Sequence, residues 1–239
     1  MSALLTPAGE RQVIVSLGRV GLPGTLAWAE HPSGLVLFAH GSGSASPSIQ
    51  AIASQLRGAG LATLLFDLLT LHESGQRQGV LEIPLMAARL RAATDWAVSQ
   101  PEVAGLLAGY FGASTGAAVA LLAASMPGAH VGAVVSRGGR PDLAGDALYS
   151  VRAPTLLIAG RHDEEELELN RRAYRRLTCP KRLLVIQDAT HPPEEPQAVG
   201  TAGREAASWL VEHLVLVPRW RAARHPAAAG LPEVYPFGP

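Results

Sequence analysis

The stretch Gly109–Met126 reads GYFGASTGAAVALLAASM and holds one serine before its last turn, Ser114, inside Gly112-Ala113-Ser114-Thr115-Gly116. A strand-like run, GLLAGYF, precedes this G-x-S-x-G, and a helical run, AAVALLAASM, follows it. That context is what a nucleophile elbow demands: a turn tight enough to strain the serine backbone, with small flanks that avoid the adjoining strand and helix. The five-residue pattern alone is common by chance, and the strand-turn-helix setting is what gives it meaning. A serine hydroxyl is a weak nucleophile at neutral pH and needs a base, which in turn needs an orienting acid.

Two strand-end segments offer them. After APTLLIAG comes Arg161-His162-Asp163, and after KRLLVIQ comes Asp188-Ala189-Thr190-His191. In α/β-hydrolases the chain order is serine, then acid, then histidine, the last two on loops at the carboxyl ends of late strands. Asp163 as acid and His191 as base fall where that template wants them. Glu164 to Glu166 compete with Asp163 but are explained by the first turn of a helix, and Asp188 by the turn leading to His191. Pro192 biases His191 toward extended backbone.

An oxyanion formed at Ser114 needs a pair of donors. The N–H of Thr115 is one; the other is expected from the loop after GLVLFA, which reads His40-Gly41-Ser42-Gly43-Ser44. Ser42 N–H is the expected donor and Gly41 the alternative, with His40 bracing the loop. The plain competing reading is a glycine-rich turn with no ligand. Neither G-x-x-x-x-G-K-[ST] nor G-x-G-x-x-G occurs, which disfavours a phosphate loop. No metal and no cofactor is called for. Arg137 and Arg140, in SRGGRPDL, are read as lying just past a strand's carboxyl end, where Arg137 can bind an acidic substrate; surface exposure or pairing with Asp142 is the simpler alternative. Asp67 and Glu73 read as turn residues.

The elements that must position these groups follow from alternation. Eight apolar runs of strand length, QVIVSL, TLAWAE, GLVLFAH, LATLLFD, GLLAGYF, VGAVVS, APTLLIAG and KRLLVIQ, recur, each read as followed by a segment of helical period. This predicts an α/β fold with a mostly parallel eight-stranded sheet flanked by helices. Ser46 before Pro47 caps a helix whose inner face is Ile49, Ile52, Ala53 and Leu56, and Gly58 or Gly60 ends it. Ile83, Met86, Leu90, Ala93 and Ala97 mark a second, Glu164–Glu166 through Arg175–Arg176 a third with its charges ordered for the dipole, and Ala202, Ala206, Trp209, Leu210 and His213 a last. Between VGAVVS and APTLLIAG only Arg137 to Arg152 intervenes, room for a loop and one short helix and not for a large cap domain.

The chain has 239 residues, 20 basic and 20 acidic side chains, and one cysteine, Cys179. Balanced charge supplies no field for nucleic acid or an anionic membrane. The lone cysteine excludes an internal disulfide framework and suits a reducing compartment. The start, MSALLTPAGERQ, lacks a basic n-region, so a cytoplasmic location is expected. The uncharged run from Gly105 up to Arg137 has transmembrane length, but its recurrent glycines and Pro127 fit a strand, helix and strand in series. The hydrolase-like body is expected over residues 1–214 and a Pro/Ala/Arg-rich tail over 215–239, whose Trp220 and Tyr235 can dock it on the body or on a second subunit in a homodimer.

With these residues assembled, the chain resembles the serine-nucleophile α/β-hydrolases of the dienelactone-hydrolase-like group. The matching text is LFAHGSGSASPS, GLATLLFDLLT, GYFGASTGAA, AVVSRGGRPDLA, APTLLIAGRHD and DATHPPEEP, spanning roughly residues 12 to 213. The resemblance implies Ser114 as nucleophile, Asp163 as acid and His191 as base. Dienelactone hydrolases proper carry cysteine where this chain has Ser114, so their lactone substrate is not transferred. Relatives often place a bulky apolar residue after the histidine; here Pro192-Pro193 follows. Some similar proteins look fused to a phosphoribosyltransferase domain, for which this length has no room. The expected substrate is a small carboxylic ester, cleaved through an acyl-serine in an exposed cleft. Thioester hydrolysis or acyl transfer on the same residues is one alternative, and a non-catalytic binding protein on a hydrolase fold is another.

Overall fold

Runs such as LVLFA and ATLLF, apolar at nearly every position, cannot be half-exposed strands; they need cover on both faces. The computed structural model, which describes residues 8–40, 46–75, 82–187 and 195–216, supplies it. Its eight strands are β1 (Gly9–Leu17), β2 (Val20–Trp28), β3 (Leu35–Ala39), β4 (Ala62–Phe66), β5 (Ala108–Ser114), β6 (Val131–Gly139), β7 (Thr155–Gly160) and β8 (Lys181–Ile186). They form one sheet in the order β1-β2-β4-β3-β5-β6-β7-β8. β1 and β2 form an antiparallel hairpin that joins β4 antiparallel, and every pairing from β4 onward is parallel. All eight predicted strands are present, and β3 and β4 are buried at every residue.

Six α-helices complete the layers: α1 (Pro47–Gly58), α2 (Leu71–Gly75), α3 (Ile83–Ala97), α4 (Gly116–Ser125), α5 (Glu164–Arg176) and α6 (Pro196–Val211). One core, against α1 and α6, gathers Val36, Phe38, Phe111, Val135 and Ile158 with Ile52, Leu56, Ala202 and Leu210. The other gathers Leu37, Leu64, Tyr110, Val134 and Leu157 with Leu90, Val119 and Ala173 of α3, α4 and α5. Alternate residues of β3 to β8 go to opposite cores, as the pleat requires. Ser46 caps α1 by accepting from Ile49 N, and Ile49, Ile52, Ala53 and Leu56 are its buried face, as read from the sequence. The link between β6 and β7 is a short 3-10 run, Pro141–Ser150, and among the described residues no large cap stands over the sheet. After α6 a turn of π-helix, Glu212–Leu216, buries Leu214 and Val215. The tail from residue 217, with Trp220 and Tyr235, lies outside the described residues.

α4 starts against the end of β3. A methyl group at Gly116 would lie 1.8 Å from the backbone oxygen of Ala39, so only glycine allows this approach.

Glu73 is more than a turn residue. With Thr70 it makes a capping box: Thr70 N donates to Glu73 Oε2 at 2.8 Å, and Glu73 N donates to Thr70 Oγ1 at 3.3 Å. Arg89 of α3 then donates to both carboxylate oxygens, 2.7 Å each, and to Leu68 O at 2.8 Å. The T-x-x-E spacing was visible in the sequence; the partner on another helix was not. The Arg89 hydrogen bonds, ahead of the Thr70 N–H, lower the Glu73 pKa from 4.5 to about 2.

Two predictions follow from these contacts. Gly116→Ala should cost about 3 kcal/mol in urea unfolding, because the added carbon meets backbone on β3, while Gly200→Ala should gain about 0.5–1 kcal/mol, since its nearest neighbour is the mobile tip of Arg204. Glu73→Gln should destabilise by about 1–3 kcal/mol at pH 7. Because the folded-state pKa is depressed, the native advantage is whole above pH 4.5 and should vanish as pH falls toward about 2, which denaturation midpoints across that window would show.

Candidate active site

The turn at Ser114 has the strain its motif predicts. Ser114 sits at φ 53°, in the left-handed region, and of the described non-glycine residues only His31 shares a positive φ. Branchless neighbours make that turn possible. A carbon added to Gly112 would come within 2.3 Å of Gly116 O, and one added to Gly139 within 2.5 Å of Ala117 Cβ and 2.8 Å of Ser114 O. β5, β6 and the start of α4 are thus pressed together around the serine, which is itself exposed at the end of β5. Its backbone oxygen accepts from Arg140 N at 3.2 Å. Thr115 follows as the N-cap of α4, so its N–H belongs to the electropositive end of that helix.

Asp163 lies just past β7, as N-cap of α5, where Oδ1 accepts from Glu166 N at 2.8 Å. β6 alone separates β5 from β7, so Ser114 and Asp163 occupy the same carboxyl edge of the sheet. α5 opens with Glu164, Glu165 and Glu166 and closes with Arg175 and Arg176, as its dipole favours. Glu166, however, is buried rather than solvated. β8 ends at Ile186 and α6 begins at Pro196. His191 and Asp188 themselves lie outside the described residues, as do Gly41, Ser42, Gly43 and Ser44.

Arg137 requires a correction. The apolar run VGAVVS suggested that β6 stops at Ser136, but pairing continues to Gly139, with Ala113 opposite Arg137 on one side and Ile158 on the other. Arg137 is therefore inside the strand and only 3% exposed. Ala133 and Val135 belong to the core beneath α1 and α6, so alternation directs Arg137 to that side, level with the residue before the serine. Arg140 takes the simpler alternative and pairs with Asp142 through two hydrogen bonds of 2.9 Å.

His40, also in a strand-end position, shares the Phe38 side of β3 and packs edge-on to that ring at 5.9 Å between centroids. Burial drives its pKa down to about 4, against the raising effects of nearby Asp67 and of a hydrogen bond with the Ala39 backbone. Just past β4, Leu68 donates its N–H to His40 O at 2.9 Å. The neutral His40 imidazole and the Arg137 side chain thus both lie on the α1/α6 side of the strand ends. Cys179 is buried, which raises its thiol pKa and keeps it in the unreactive form.

No group of three or more His, Cys, Asp or Glu side chains among the described residues is arranged to hold a metal ion. No helix among them is long and apolar enough to cross a membrane.

No family model matches the chain. Two strains of Mycobacterium tuberculosis contain a protein, provisionally named a phosphoribosyl transferase, that is 50% identical over 210 residues. The match takes in 87% of this chain but 47% of that protein, so the chain spans about half the length of these curated relatives. An uncharacterized protein of the same species is 30% identical over 213 residues, 77% of this chain and 73% of its own length. Among solved structures, the esterase domain of a Rhodothermus marinus protein shares the fold, with a TM-score of 0.69 at 20% identity over 86% of this chain and 99% of that one. A dienelactone hydrolase from Anabaena variabilis superposes with a TM-score of 0.82 at 46% identity, over 87% of this chain and 99% of that enzyme. The strained serine, the sheet order and this likeness agree: the chain belongs to the dienelactone-hydrolase-like group of the α/β-hydrolases.

Proposed function

We propose that this hydrolase-fold chain cleaves small carboxylic esters through an acyl-serine intermediate, with Ser114 as nucleophile, His191 as base and Asp163 as acid. The observation that carries the proposal is the exposed Ser114 at φ 53° on the carboxyl edge of the sheet. Strain of this kind persists only where surrounding structure enforces it, and here it turns a hydroxyl outward.

In this reading Ser114 Oγ attacks the ester carbonyl carbon as His191 takes its proton. The carbonyl oxygen becomes an oxyanion held by the N–H groups of Thr115 and Ser42, and the tetrahedral species collapses by expelling the alcohol, which receives the proton from His191. Water, deprotonated by the same imidazole, then attacks the acyl carbon and restores the serine. Asp163 orients His191 and stabilises the imidazolium. A carboxylate has acceptor capacity on both oxygens, so capping α5 through Oδ1 is compatible with that task.

The short link between β6 and β7 supports an open cleft for a small or flexible ester. The transferase name of the Mycobacterium relatives describes whole proteins of which this chain matches 47%. The assembled residues suit acyl chemistry, and the chain has no phosphate-loop motif. A cytoplasmic setting fits the single reduced, buried Cys179.

Arg137 is proposed to favour acidic substrates through its field rather than as a surface hook. A buried cation level with Ala113 acts across a low-dielectric edge on charge brought to Ser114.

Ser114→Ala should lower kcat for a short-chain aryl ester by about 10⁴-fold or more and abolish labelling by a fluorophosphonate probe; labelling confined to another residue would remove the assignment. Activity should fall on the acid side as His191 takes up a proton. Arg137→Met, which retains bulk, should raise KM for a dicarboxylic monoester by about tenfold, worth about 1.4 kcal/mol, and leave a neutral ester of equal length unchanged. Equal effects on both esters would refute the role given to this arginine.

A further inference from the structure

Resting on the assignment of Ser114 and Asp163 above, we infer that Asn170 is a positioning residue that fixes the spacing between acid and nucleophile. Asn170 stands in the middle of α5 and is fully buried. Its Nδ2 donates to Glu166 O, one turn back, at 2.9 Å and to Gly139 O, at the end of β6, at 3.3 Å. Both partners are carbonyl oxygens, so only the NH₂ end of the amide can face them and the orientation of the side chain is determined.

Each partner leads to one of the two reacting groups. Glu166 donates its N–H to Asp163 Oδ1 at 2.8 Å. Gly139 pairs with Ser114 in the β5–β6 register, and the next residue, Arg140, donates N–H to Ser114 O at 3.2 Å. Hydrogen bonds and one strand pairing therefore run without a break from the carboxylate of Asp163 through Glu166, Asn170 and Gly139 to the backbone of Ser114.

The packing around this path explains why it is needed. α5 buries Leu167 and Ala173, and its far end is held by Lys181 of β8, which donates to Tyr174 O at 2.7 Å and to Leu177 O at 2.6 Å; nearer its start, Asn170 is the side chain that ties it to β6, the strand paired with Ser114. A hydrogen bond to a strand-end carbonyl is directional and fixes that position. Sliding α5 would carry its N-cap, Asp163, with it, and a displacement of about 1 Å at a catalytic group costs up to about 10²-fold in rate.

The test compares hydrolysis of a short-chain aryl ester by the full chain, by Asn170→Ala and by Asn170→Ser, each also combined with Asp163→Asn. Serine keeps a hydroxyl able to bond the carbonyl one turn back but is too short for Gly139 O, so it preserves the helix and removes the cross-link. Both variants should lose about 10–100-fold in kcat with KM changed less than about threefold. The acid limb of kcat/KM should move to lower pH, because an imidazolium less well faced by Asp163 gives up its proton more readily. With Asp163→Asn already present, either substitution should change kcat by less than about twofold, since residues acting as a unit are non-additive.

An equal loss in both backgrounds, an unmoved pH profile, or failure of both variants to fold by circular dichroism would each overturn the inference and leave Asn170 a residue of the fold alone. Fluorophosphonate labelling of the unsubstituted chain separates the two levels. Absence of label at Ser114 defeats the hydrolase reading itself, whereas a labelled Ser114 with an Asn170 effect independent of Asp163 defeats only the positioning role.

Discussion

The structure turns on the approach of α4 to the end of β3, where Gly116 lies directly against Ala39 O. This contact pins the first turn of the helix to the neighbouring strand and leaves the chain between β5 and α4 no room for an ordinary bend. The reversal is completed in two residues, and Ser114 takes the left-handed backbone that results. Gly112 and Gly139 have no side chain because the start of α4 presses on both, Gly116 O on the first and Ala117 Cβ on the second. The strain at the serine is thus a consequence of how three strands and a helix share one corner.

That corner was legible in the sequence because its signal is local: glycines at fixed offsets, an apolar strand before and a helical run after. The central strands were legible for a related reason, since a run buried on both faces has to be apolar at nearly every position, and LVLFA and ATLLF are. What escaped was polar and non-local. Arg137 looked like the end of a strand because a charge after an apolar run normally meets water; here pairing with β5 and β7 carries it inside. Glu73 carried half its signal in the T-x-x-E box, but Arg89, 16 residues on, could be joined to it only by the packing of α3. Asn170 gave no warning at all, since an asparagine amid the charges of α5 reads as solvent-facing until the helix is laid on the sheet.

The groups at the strand ends divide their work by environment. Asp163 stays near water and serves as both helix cap and proposed acid, with a backbone N–H on one oxygen. His40, driven neutral by burial, lies on the same α1/α6 side of the sheet as buried Arg137, with β5 between their strands. An imidazole with its pKa near 4 takes no part in proton transfer at neutral pH, which is consistent with the bracing role read for His40 from the sequence.

The left-handed turn at residue 114 also bears on how such a protein changes over time. What the corner enforces is a direction, outward from the strand end, and it is indifferent to which light atom caps a short side chain there. In the nucleophilic role proposed for Ser114, exchange of oxygen for sulfur at that point would retune hardness, leaving-group preference and sensitivity to oxidants while the scaffold stayed as it was. Lineages built on this corner can therefore drift between kinds of electrophile without first having to re-evolve a fold.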